Sequence, residues 1–123
     1  MPNNERGAVA VEFAILLPLL LMLVLGTIEF GRAYNVQITL TNAARDGVRV
    51  MAITNVAADA KAAAKNAAAS VSTSIPISDV TLSTPTCSTG SQVTLTITYN
   101  LSTITGIAGP FAMTGKGVML CGG

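Results

Sequence analysis

RGAVAVEFAILLPLLLMLVLGTIEFGR, residues 6–32, is the stretch on which the fold depends. From Ala8 to Ile28 it holds 21 residues with a single charge, Glu12. At about 1.5 Å per residue, a helix of that length spans about 30 Å, the thickness of a bilayer core. Arg6 flanks one end, and Glu29 and Arg32 flank the other. The segment predicts one transmembrane helix over 8–28, with the lipid bilayer as its solvent. Pro18 removes one hydrogen bond from that helix. It reads equally as a passive helix kink or as a feature used in assembly.

Glu12 is the residue that needs a reason. A cleaved secretory signal would have a shorter apolar core and a small-residue exit site, which Gly26-Thr27-Ile28-Glu29 does not provide. A plain single-pass anchor explains the length, with the carboxylate snorkelling to the interface. A third reading gives the carboxylate a partner. If the chain is cut between Gly7 and Ala8, the new α-amine lies about one helical turn from Glu12. The amine of a neighbouring subunit, shifted along a filament, could then pair with Glu12 in apolar surroundings and fix the register between subunits.

The remaining chain has room for one small domain. Of the 123 residues, 50% are hydrophobic and 11% charged, and the net charge of +1 gives no footprint for nucleic acid. After Gly31, Val36, Leu40, Ala43, Ala44, Gly47 and Met51 recur at helical spacing, while Asn35, Asn42, Arg45, Asp46 and Arg49 fall mostly off that stripe. This predicts that the helix continues over 29–53, with a small-residue face suited to close packing. Met22 and Met51 read as packing residues. Over 54–74 the sequence predicts an alanine-rich helix, Val56 to about Ala69, and a linker; Thr54 or Asn55 is the expected cap. That helix is expected to cover the sheet that follows.

From Ile75 the period changes to two. Val80 and Leu82 alternate with polar residues, as do Val93, Leu95, Ile97 and Tyr99 in QVTLTITYN, and GKGVMLCGG can supply a short last strand. The stretch 100–113 carries Leu101, Ile104, Ile107 and Phe111, which either pack on the domain or form a contact surface; packing is the favoured reading. Cys87 and Cys121 suit a disulfide made in an oxidising compartment, with free thiols as the alternative. The resulting fold class is α+β: a long N-terminal transmembrane helix, a second Ala-rich helix and a small antiparallel sheet over 75–123.

Catalytic constellations are missing from the composition. With no histidine, neither a Ser-His-Asp nor a Cys-His arrangement can be built, and no His/Cys cluster offers a metal site. The acidic residues Glu5, Glu12, Glu29, Asp46, Asp59 and Asp79 are scattered, and GIAGPFAMTGKG lacks the spacing of a phosphate-binding loop. The expectation is a protein that is not an enzyme, with no metal and no cofactor.

Gly7 followed by Ala8-Val9-Ala10-Val11-Glu12-Phe13 resembles a type IVb prepilin signal, cut after glycine by a membrane aspartyl peptidase. The stretch through Ala52 is similar to TadE-like minor pseudopilins of the tight-adherence (Flp) pilus system. The shared features are the Arg6-Gly7 pair, Glu12-Phe13, Leu17-Pro18-Leu19, Ile28-Glu29-Phe30-Gly31-Arg32 and Asn42-Ala43-Ala44-Arg45-Asp46-Gly47.

The resemblance implies a pilin-like domain, a cytoplasmic leader over 1–7 and a processing site at Gly7 and Ala8. Glu12 and Phe13 would serve signal recognition and subunit docking. It implies three kinds of partner: a prepilin peptidase, other pilin and pseudopilin subunits, and an inner-membrane assembly platform. It places the protein in a bacterial inner membrane, N-terminus cytoplasmic and C-terminal domain extracytoplasmic, or incorporated in a surface pilus. Charge counting leans the other way, since Glu5 offsets Arg6 while Arg32, Arg45 and Arg49 all follow the segment. The expected function is that of a minor pseudopilin in assembly or priming of the pilus. The alternatives are a membrane-anchored binding domain and the main filament subunit.

Overall fold

A computed structural model describes residues 2–72, 74–106 and 109–122. In chain order the elements are helix α1 (Pro2–Thr54), helix α2 (Ala57–Ala67), a single 3-10 turn (Ile77–Asp79), and strands β1 (Val80–Leu82), β2 (Gln92–Leu101) and β3 (Phe111–Leu120). The fold is α+β. The chain divides into two compact units, Met1–Arg32 and Ala33–Gly123.

The first unit is the N-terminal part of α1. From Asn4 to Ile28 every residue is exposed, and the helix is long and apolar enough to cross a bilayer. Pro18 sits inside it. Because proline has no N–H, the Ala14 carbonyl one turn earlier loses its helical donor. Thr27 handles its own polarity: its hydroxyl donates to the Leu23 carbonyl at 2.7 Å. A hydroxyl satisfied within its own helix exposes little uncompensated polarity to lipid.

The second unit is built around the predicted stripe. Val36, Leu40, Ala43, Ala44, Gly47 and Met51 are buried, joined by Val48, and Asn35, Asn42, Arg45, Asp46 and Arg49 are exposed. A row at this spacing faces one side of a 3.6-residue helix, so burying it costs no polar group. Opposite it lies an antiparallel sheet in the order β1-β2-β3. Val80 pairs with Ile97 and Leu82 with Leu95; Leu95 in turn faces Gly117, and Ile97 faces Gly115. Val93, Leu95, Ile97 and Leu101 all point into the core. The threonines between them take the other face, as a period of two requires.

Two glycines let the helix come down on β3. A Cβ added at Gly115 would lie 2.4 Å from the Leu40 carbonyl carbon and oxygen, and one at Gly117 would lie 2.7 Å from the Ala44 carbonyl. Backbone therefore rests on backbone. Gly47 does the same for α2: its Cβ would meet the Ala64 Cβ and Leu95 Cδ1 at 2.7 Å. Ala60 and Ala64 form the buried row of α2, continued by its C-cap Ala68. Alanine gives α2 its propensity, and Asp59 and Lys65 complement the dipole in its first and last turns.

Several boundaries differ from the expectations. Helix α2 starts at Ala57, after an N-cap Val56 that makes no side-chain cap bond. Asn55 adopts a left-handed conformation (φ 54°), its N–H donating to the Met51 carbonyl at 2.9 Å. It ends α1 instead of capping α2, because asparagine tolerates that conformation better than most residues. Its Oδ1 accepts the Cys87 N–H at 2.6 Å. Strand β3 begins at Phe111 instead of within GKGVMLCGG, and β2 extends through Leu101. The stretch 100–113 thus shrinks to the link 102–110. Leu101 is buried, but Ile104 (58%) and Phe111 (40%) are exposed; Ile107 lies outside the described residues.

Cys87 and Cys121 form a disulfide, with Cα atoms 5.4 Å apart. It pins the loop before β2 to the end of β3, where Cys121 also donates its N–H to the Ser91 carbonyl. Closing a loop over a separation of 34 residues restricts the unfolded chain by an amount worth about 4 kcal/mol. Replacing both cysteines by serine is expected to lower stability by up to that amount. A urea titration of the two oxidised and reduced forms and of the double variant checks it: the reduced and double-variant midpoints should coincide well below the oxidised one.

Candidate processing and docking segment

The residues proposed for processing and docking all lie on the N-terminal part of α1. Gly7, Ala8, Glu12 and Phe13 are helical and exposed. Ala8 and Glu12 are four residues apart, so they share a face with about 6 Å of rise between them. That distance is within reach of an ammonium on the same or an adjoining chain. Phe13 points about 100° away around the axis. Gly7 has nothing within 4 Å of a notional Cβ, so no packing contact explains why this position is a glycine.

Around Glu12 the helix offers only apolar neighbours. Val9 and Ile15 stand three residues to either side, Ala8 and Leu16 four. In lipid a carboxylate in that setting has strong reason to find a counter-charge. Pro18 lies on the same helix but not on the Ala8–Glu12 face, being six residues beyond Glu12. It contributes no group to a pairing site there.

Among the described residues no group of three His, Cys, Asp or Glu side chains could hold a metal ion. No buried side-chain nitrogen or oxygen there is left without a hydrogen-bond partner. Cys87 and Cys121 are consumed by their disulfide. Sequence reasoning missed three positioning contacts: the glycine seat at Gly115 and Gly117, the Asn55–Cys87 bond, and a bond from Gln37 Nε2 to the Thr114 carbonyl at 2.7 Å. Only the first had a signal, glycines two apart within an alternating strand, which mark a close backbone approach.

No curated protein and no solved structure matches the chain. A family model described as TadE-like protein matches residues 7–49. The match begins at the glycine of the candidate processing site, runs through the apolar helix and Glu12, and ends within the buried stripe of the second unit. It stops before α2 and the sheet. Over residues 7–49 the chain is thus similar to TadE-like proteins.

Proposed function

We propose that this protein is a minor pseudopilin, inserted through α1 and cut after Gly7, which then assembles with other pilin subunits to prime or build a tight-adherence pilus. The observation that supports this most is the placement of Ala8 one helical turn before Glu12, on an exposed apolar helix that falls within the TadE-like match. A prepilin peptidase would release the Ala8 amine; the leader 1–7 would be cytoplasmic and the sheet domain extracytoplasmic. A charged terminus and a carboxylate, each costly in lipid, offset one another when adjacent subunits stack. The disulfide fits an oxidising compartment on the domain's side of the membrane.

The test is the intact mass and N-terminal sequence of membrane-extracted protein from cells with and without the peptidase. The expected chain starts at Ala8 only when the peptidase is present. Retention of residues 1–7 in its presence overturns the reading and leaves an anchored domain. Gly7→Leu sharpens the result. With open space around Gly7, the substitution is expected to leave the fold and insertion unchanged while abolishing cleavage.

A further inference from the structure

We infer that the outer edge of β3 is a docking edge for an extended acidic segment of another protein, received by strand addition. The direction of the main-chain groups on β3 follows from three contacts. Thr114's carbonyl accepts from Gln37 Nε2, so it points away from β2. Cys121, of opposite parity, donates its N–H to Ser91 on the β2 side. Thr94, the partner of Val118, uses its N–H and carbonyl on Ser83, on the β1 side. Alternation in an antiparallel pair then turns the N–H and C=O of Lys116, Val118 and Leu120 outward. None of these groups has a partner among the described residues.

The rim of this edge carries one sign of charge. Lys116 is exposed on the strand itself, and the Arg45 backbone nitrogen lies 2.7 Å from a notional Cβ at Gly117. Arg45 follows Gln37 by about two helical turns, and its backbone borders the strand at Gly117. Both cations are exposed, and neither makes an ion pair among the described residues. Val118 and Leu120 add exposed apolar surface on the outer face. An open edge with basic and apolar side chains selects an acidic, β-forming strand. A second copy of β3 is a poor occupant, because antiparallel pairing about the strand's middle sets Lys116 against Lys116.

The experiment uses the full chain in zwitterionic micelles, isotopically labelled. The probe is a peptide of about ten residues that alternates glutamate with valine or threonine. Binding is expected to slow hydrogen exchange at the Lys116, Val118 and Leu120 amides and to weaken with salt. Arg45→Glu with Lys116→Glu is expected to weaken it several-fold. Val118→Pro is expected to abolish it while leaving the β2–β3 amides unchanged, because it removes only an outward N–H. No protection of the three amides, equal binding by Val118→Pro, or equal binding of a lysine-substituted peptide each overturns the proposal.

Discussion

Gly115→Ala is expected to destabilise the second unit by about 3 kcal/mol or more, the upper part of the range for overpacking a core. The added Cβ would lie 2.4 Å from the carbonyl carbon and oxygen of Leu40 and 2.8 Å from its Cβ. Two of those three atoms are helix backbone, so no rotamer change relieves the clash; α1 must lift from β3 or β3 must bend away. Either movement opens the contact between Leu40 and Gly115, within the core that also holds Leu95 and Ile97. Gly117→Ala meets the Ala44 carbonyl and the Arg45 nitrogen at 2.7 Å, so a similar but smaller loss is expected. A domain of this size shifts in Tm by several degrees per kcal/mol, so the Gly115 variant should melt roughly 15 °C lower. Gly109→Ala is the control, since nothing lies within 4 Å of its Cβ position. The readout is the thermal loss of the Val93, Leu95 and Ile97 amide signals. Equal melting of the Gly115 and Gly109 variants would show that backbone contact does not hold α1 on the sheet.

Those two glycines also mark where sequence reasoning stopped. The stripe from Val36 to Met51 was legible because it obeys one period on one element, and each position could be placed without knowing its neighbour. The same holds for Val93, Leu95 and Ile97 on β2. Gly115 and Gly117 are different: two glycines spaced along GKGVMLCGG signal a close backbone approach but do not say which element comes down on them. The start of β3 was hidden for a related reason, since Phe111 and Ala112 follow directly on Gly109-Pro110, a strong turn signal. Asn55 read as a cap because asparagine serves helix starts and left-handed helix ends alike. The Cys87–Cys121 pairing was within reach, with only two cysteines to pair. The candidate processing residues Gly7, Ala8, Glu12 and Phe13 are read from their order along one helix, and the roles proposed for them require no tertiary contact within the chain.

Glu12→Ala is expected to leave insertion and cleavage intact and to reduce pilus assembly to near background. The apolar span is unchanged by the substitution, and loss of a carboxylate makes insertion easier. What changes is the site that would receive the neighbouring Ala8 amine. Removing one partner of a desolvated pair leaves the other charge uncompensated, at a cost of about 3–5 kcal/mol. That corresponds to about two to four orders of magnitude in an association constant. Glu12→Gln keeps the shape and a hydrogen-bond acceptor but not the charge, so it should fail nearly as badly. Glu12→Asp keeps the charge on a side chain one methylene shorter, so partial assembly is expected. The order Glu, Asp, then Gln and Ala is the signature of a charge pair; a merely snorkelling carboxylate would tolerate all three changes. Sheared pili are counted beside the cleaved fraction of this chain, which separates failure of docking from failure of processing. Normal pili from the Ala variant, with cleavage complete, would remove Glu12 from assembly and return it to the interface as a solvated end of the helix.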